Sequence, residues 1–222
     1  MLILAYAANG TLRDFLRHTE LLPSRKVELV LDICDGMAML HSQNVMHLDL
    51  KPENVLISAD GTPWVADFGL AIAMTATSSA SGGGRATMQY KAPELFVGDS
   101  DSDSDEAESE TKSSPKFTYD KPTDVYSFGM MCWEIFSGVI PFAGKMDHKI
   151  ATMHIKALNG GKIKRPSLDS TPTEMVPIIE ACWAQDPSAR PTFQEAKDML
   201  DAVPILAVDG ALNAPGYWDV YI

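Results

Sequence analysis

The stretch His47-Leu48-Asp49-Leu50-Lys51-Pro52-Glu53-Asn54, continuing into Val55-Leu56-Ile57, decides the reading of this chain. It sets a carboxylate, an ammonium and a carboxamide within a few positions of one another. Pro52 interrupts any regular helix, so the segment has to loop. A loop of this kind can aim Asp49, Lys51 and Asn54 at one small volume. The set suits phosphoryl transfer: a base for a hydroxyl, a cation for a phosphate, and an oxygen ligand for a hard metal ion.

Working outward, Asp67-Phe68-Gly69 supplies a second carboxylate at the end of the apolar run Trp64-Val65-Ala66, and Ala92-Pro93-Glu94 follows. Taken together, in this order and at this spacing, the three motifs resemble the catalytic loop, the metal-binding D-F-G and the A-P-E of the protein kinases. The fold implied is mainly α with small β hairpins, the large C-terminal lobe of a protein kinase-like fold. Cys182-Trp183, Pro187 and Arg190-Pro191-Thr192-Phe193 most resemble the tyrosine-kinase-like branch of the serine/threonine kinases.

The resemblance implies roles, residue by residue. Asp49 orients the acceptor hydroxyl and takes its proton, and Lys51 neutralises the transferred phosphate. Asn54 and Asp67 hold Mg²⁺, and Leu56 lies under the adenine of ATP. The backbone groups of Ala5 and Ala7 face the adenine edge, with Leu4 at the gatekeeper position. His47 is a packing residue against Phe68. Thr87 and Tyr90 belong to a substrate-docking turn, Glu94 pairs with Arg190 in a buried site, and Asp124 binds the backbone of the catalytic loop. Lys51 resembles the serine/threonine type of loop. Leu48 departs from the pattern, because the family commonly has arginine there, which clamps a phosphate on the activation segment. Leucine cannot, so activity in this chain is not expected to depend on that clamp.

The chain divides into residues 1–9 (a last small-lobe strand, Leu2 to Tyr6, with the hinge), 10–203 (the large lobe) and a tail, 204–222. The glycine-rich loop and strand lysine of the family have no counterpart: the first lysine is Lys26, and Gly82-Gly83-Gly84 has the wrong place and spacing. This reading expects the small N-terminal lobe to be absent and the chain as written to be inactive. The alternative is a non-catalytic kinase-like scaffold that binds partner proteins, and a third reading is a piece of a longer active kinase.

Within the large lobe, Thr11 and Asp14 start a short helix through Leu12, Phe15 and Leu16. Pro23-Ser24 opens a longer one on which Val27, Val30, Leu31, Cys34, Ala38 and His41 recur at helical spacing. Asp60-Gly61 predicts a hairpin of Asn54–Ile57 with Pro63–Asp67, which brings Asn54 and Asp67 to one end. A helix from Asp124 to about Phe136 is apolar nearly all round and is expected at the centre of the domain. Further helices are expected over Lys149–Leu158 and Met175–Trp183, and Thr192 with Glu195 caps the last.

Residues 67–94 form the activation segment, in which Thr75, Thr77, Ser78, Ser79 and Ser81 offer sites to an upstream kinase, as do the serines of 100–104. Residues 99–110 hold seven acids and no base, and the insert 99–116 is expected to be disordered. The formal net charge of −12 argues against nucleic-acid or anionic-membrane partners. Three cysteines without a C-x-x-C pair suggest reduced, buried thiols, and no apolar run reaches the length of a membrane span. The function read from the sequence is that of a cytoplasmic serine/threonine kinase using ATP and Mg²⁺ on a protein substrate.

Overall fold

The computed structural model describes residues 6–73, 87–96 and 120–204, without the side chains of residues 70, 72 and 73. Ala5, Leu4 and all but Tyr6 of the strand expected at 2–6, the phosphorylatable stretch 75–81, the insert 99–116 and the tail beyond residue 204 lie outside these; Tyr6 itself is not in a strand.

Among the described residues the elements run α1 (Leu12–His18), α2 (Pro23–Ser42), β1 (Val45–Met46), β2 (Val55–Ile57), β3 (Pro63–Val65), β4 (Ile72–Ala73), α3 (Lys121–Ser137), α4 (Asp147–Leu158), α5 (Val176–Cys182) and α6 (Phe193–Asp201). The architecture is mainly helical, with two small antiparallel ribbons, β1 with β4 and β2 with β3. No helix of the described residues is long and apolar enough to cross a membrane.

Helix α3 is the centre. Every residue from Thr123 to Phe136 is buried, including Tyr126, Phe128, Met130 and Ile135. Burying one such large apolar side chain is worth roughly 1.5–3 kcal/mol, so this single helix concentrates much of the driving force for the fold. It starts earlier than the sequence pattern suggests. Asp120 caps the N-terminus and Pro122 sits in the first turn, where a missing N–H costs nothing. It ends at Gly138, whose φ of 69° closes the helix with a hydrogen bond from its N–H to Glu134 O. Gly129 marks the closest approach of α5: a Cβ there would lie 2.9 Å from Cys182 Cβ.

Helix α2 begins with Pro23 and buries Val27, Val30, Cys34, Met37 and His41, spaced three and four apart. Helix α6 starts with a complete capping box: Glu195 N–H donates to the Thr192 hydroxyl, and Thr192 N–H donates to Glu195. The β2–β3 ribbon carries the pairs Val55↔Val65, Leu56↔Trp64 and Ile57↔Pro63. Residues 9–11 extend it on the other edge, through Asn9 N–H to Ile57 O (3.0 Å) and Ile57 N–H to Gly10 O (2.8 Å). The β1–β4 pairing closes the loops between these elements, with Val45↔Ala73 and Met46↔Ile72. Cys34, Cys132 and Cys182 are free and buried in the core, and burial pushes all three thiols up, Cys34 to about 12.

Candidate active site

The loop between β1 and β2 is held from below by one side chain of α3. Asp124, fully buried, accepts His47 N–H at Oδ2 and Leu48 N–H at Oδ1, both at 2.8 Å. Its Oδ2 also meets His41 Nε2 of α2 at 2.9 Å. One carboxylate thus ties two helices to two consecutive amides of the loop. Leu48 takes φ 67°, a left-handed conformation that is rare for a bulky residue. The second of these fixed amides is its own, so the buried carboxylate holds the backbone immediately before that strained φ.

His47 is fully buried, with Nε2 donating to Ala66 O (2.8 Å) and Nδ1 accepting from Asp49 N–H (3.3 Å). A carbonyl can only accept, so the contact assigns the proton to Nε2. The His47 ring lies 5.5 Å from that of Phe68, tilted by 52°. Phe68 itself is half exposed.

Asp49 is the point of convergence. Oδ2 accepts from Lys51 Nζ (2.6 Å) and Asn54 Nδ2 (3.0 Å). Oδ1 accepts from the N–H and the hydroxyl of Thr87, each at 3.2 Å. Lys51 Nζ also donates to the Thr87 hydroxyl at 2.7 Å, which closes a triangle of Asp49, Lys51 and Thr87. Thr87 reaches the loop from a segment far along the chain.

Asn54 ends a 3-10 turn, Pro52–Asn54, and its Nδ2 donates to Asp49 O as well (2.8 Å). With the amide nitrogen committed, Oδ1 is the atom it can offer a cation. Ala66 N–H donates to Asn54 O (2.8 Å), so the register of β2 and β3 sets Asn54 and Asp67 at the same end of the ribbon. Asp67 has φ 59°, and its Oδ1 accepts Gly69 N–H (3.2 Å). An amide oxygen and a carboxylate suit Mg²⁺, which keeps water and phosphate oxygens in most of its positions. No group of three or more histidine, cysteine or acidic side chains gathers as a metal cage among the described residues. Leu56 is half-buried on β2, and Ala7 is half-buried where residues 7–11 approach that strand, its carbonyl accepting Gly10 N–H.

The segment 87–96 is pinned at two points. Glu94 receives two hydrogen bonds from Arg190, at 2.7 and 2.8 Å. Tyr90 is held by Ser127, whose hydroxyl donates to Tyr90 O at 2.9 Å. The Tyr90 hydroxyl joins a network that no local motif marks. Arg13 of α1 contacts Glu53 of the catalytic loop, the Tyr90 hydroxyl and Glu134 of α3, and Tyr90 donates to Glu134. Burial raises the Glu134 carboxyl above its ordinary value, opposed by the hydrogen bond from Tyr90 and the charge of Arg13. Burial and the Glu134 charge push the Tyr90 phenol up, so it stays a donor. No local signal points to the roles of Arg13 and His41, because Glu134 and Asp124 lie 121 and 83 positions away from them.

The family described as protein tyrosine and serine/threonine kinase matches residues 1–200. The chain is 32% identical over 204 residues to the serine/threonine/tyrosine-protein kinase HT1 of Arabidopsis thaliana, covering 90% of this chain and 46% of that protein. It is 34% identical over 204 residues to a probable LIM domain-containing serine/threonine-protein kinase of Dictyostelium discoideum, covering 88% and 18%. To the human cytoplasmic tyrosine-protein kinase BMX it is 30% identical over 206 residues, covering 90% and 27%. The chain belongs to the protein kinase family, and it spans less than half the length of each of these relatives.

Proposed function

We propose that this chain forms the catalytic lobe of a protein kinase that transfers the γ-phosphoryl group of ATP to serine or threonine side chains of a protein substrate. The observation that carries the reading is the closed contact of Asp49, Lys51 and Thr87, with Asn54 joined to the same carboxylate. In this reading Asp49 is the group that orients the acceptor hydroxyl and takes its proton. Lys51, already 2.6 Å from Asp49, places a positive charge beside the acceptor and the transferring phosphate. Asn54 Oδ1 and the Asp67 carboxylate would hold Mg²⁺, which supplies charge neutralisation to the phosphates when bound. Leu56 lines the adenine side, together with the backbone near Ala7 and, from outside the described residues, Ala5. His47, Phe68, Asp124, Glu94 and Arg190 keep these groups in place.

The bridge from Lys51 to the Thr87 hydroxyl supports a serine/threonine preference, because it fixes the turn on which the acceptor peptide would lie.

The test is phosphoamino-acid analysis of a mixed protein substrate labelled from radioactive ATP by a longer polypeptide that includes this chain. Phosphoserine and phosphothreonine are expected. Phosphotyrosine alone would overturn the acceptor preference. ATP binding with no transfer to any acceptor would favour the non-catalytic scaffold.

A further inference from the structure

The chain is strongly acidic, at −12, yet residues 145–165 hold six lysines and arginines against the single Asp147. Five of them, Lys145, Lys149, Lys156, Lys162 and Lys164, are exposed. Lys149 and Lys156 are seven residues apart on α4 and so share one side of it, while Lys145 precedes the helix and Lys162 and Lys164 follow it. Among the described residues none of the five pairs with a carboxylate, whereas Arg13, Arg25, Lys51, Arg190 and Lys197 each do. The opposite side of α4 is committed to the core through Ile150, His154 and Ala157, with the His154 ring stacked on Phe96 at 4.5 Å. Met146 stands 63% exposed at the start of the helix, beside Lys145 and Lys149.

We propose that the exposed side of α4 and the loop after it form a docking surface for a short acidic peptide segment of a partner protein, with an apolar side chain of that segment resting on Met146. Charge complementarity is the argument. Solubility does not call for a concentrated positive patch on an acidic protein. Lys149 and Lys156 lie about 10 Å apart along the helix at 1.5 Å per residue, the length of about three residues of extended chain. A ligand of that size stays within the patch. At physiological salt, charges further away than about 8 Å are largely screened from it. A nucleic acid or an anionic bilayer extends well past the patch and meets the acidic remainder of the surface. The exposed cations are all lysine, which suits carboxylates at variable positions more than the fixed forks of phosphate recognition. This inference does not rest on phosphoryl transfer.

The experiment is fluorescence anisotropy on the 222-residue chain with a fluorescein-labelled peptide of five glutamates and two leucines. Binding is expected at 50 mM NaCl and should weaken at least tenfold by 300 mM. Lys149→Glu should weaken it at least fivefold, and Arg17→Glu, an equal charge change on exposed α1, less than twofold. Glutamate suits the first turn of α4, so Lys149→Glu should fold, and Lys149→Ala gives the same comparison if it does not. No binding at 50 mM NaCl, or equal losses in the two variants, would overturn the proposal. Tighter binding of a labelled single-stranded oligonucleotide or of phosphatidylserine vesicles, with the same sensitivity to Lys149→Glu, would also overturn it.

Discussion

Replacing Arg190 by alanine tests the tie between the docking turn and the helical core. The guanidinium is fully buried and makes five contacts with acceptors: both Glu94 oxygens, and the carbonyls of Pro122 (2.9 Å), Ala184 (2.9 Å) and Gln185 (3.4 Å). It also lies 5.0 Å over the Tyr126 ring. Alanine removes the donors to the Pro122 and Ala184 carbonyls and leaves Glu94 without its counter-charge. Breaking a buried pair from one side costs about 3–5 kcal/mol. Glu94 keeps a quarter of its side-chain surface exposed and can partly rehydrate, so the low end, about 3 kcal/mol, is expected. At about 2–4 °C per kcal/mol for a chain of this size, Tm should fall by roughly 6–12 °C. Lysine restores the charge but not the two-pronged geometry, so Arg190→Lys should recover only part of the loss. Arg17→Ala, on exposed α1, should cost about 0.5 kcal/mol or less. The assay is differential scanning calorimetry of the three variants and the parent at pH 7.5. Equal Tm values for Arg190→Ala and Arg17→Ala would refute the reasoning.

Three further outcomes are expected. In a longer, active context Asp49→Asn should lower phosphoryl transfer by about a hundredfold or more, the usual size of a general-base effect, with the circular dichroism spectrum unchanged; activity within tenfold of the parent would remove Asp49 from the role. The 222-residue chain by itself should bind Mg·ATP with a Kd of about 1 mM or weaker, since the described residues offer the Asn54–Asp67 end and one side of an adenine site; micromolar affinity by calorimetry would contradict this. His154 should make the fold acid-sensitive. Burial, with Arg165 and Lys91 nearby, pushes its imidazole down to about 4, and neither ring nitrogen has a hydrogen-bond partner. The unfolded chain therefore takes up the proton first, at about pH 6.5, and stability present above that pH drains away as pH falls toward 4. Between pH 7.5 and 5 the loss is about 2 kcal/mol. His154→Phe should flatten that limb of the Tm profile, and an unchanged slope would show that other groups carry it.

The parts that could be read from sequence were those set by local chemistry. The capping box at Thr192 and Glu195, the turn at Asp60-Gly61 and the three-and-four spacing of α2 each involve neighbours in the chain. The start of α3 was legible but misjudged. The apolar run drew attention to Asp124, although Asp120 followed by a first-turn proline is itself a helix-start pattern. Helix α4 likewise begins two residues before Lys149. The β1–β4 ribbon is too short to show any alternation. Asp49, Lys51, Asn54 and Asp67 were legible as a set because each sits in a local motif. The Arg13–Glu53–Glu134–Tyr90 network was not, because each member alone reads as an ordinary charge or core aromatic, and only the reach of the Arg13 side chain to three distant segments makes them a unit.

Helix α3 explains how the catalytic loop and the docking turn can hold their positions with leucine at position 48. Along one buried helix, Asp124 fixes the amides of His47 and Leu48, Ser127 fixes the Tyr90 carbonyl, and Glu134 gathers Arg13 and the Tyr90 hydroxyl. The Leu48 side chain is itself buried, near Ala92 and Leu95. An arginine there would call for an anion on the segment facing it. Leucine calls for none, and the turn is instead tied by charges the chain already carries: Lys51 to Thr87, Arg13 to Tyr90, and Arg190 to Glu94. This arrangement supports the proposal that activity does not depend on phosphorylation of the activation segment. In an active, longer polypeptide, replacing Thr75, Thr77, Ser78, Ser79 and Ser81 together by alanine should change transfer by less than about twofold, because none of those ties involves them. Arg13→Leu should lower it by about tenfold or more, because it removes one of the Tyr90 ties and leaves Glu134 buried without its cation, a change of the kind that costs several kcal/mol. Both variants are read by initial rates on one peptide substrate, with Tm measured alongside. A large loss in the alanine variant at unchanged Tm would mean that a phosphate on that stretch is needed, and that the ties seen around Thr87, Tyr90 and Glu94 are not enough to hold the turn for catalysis.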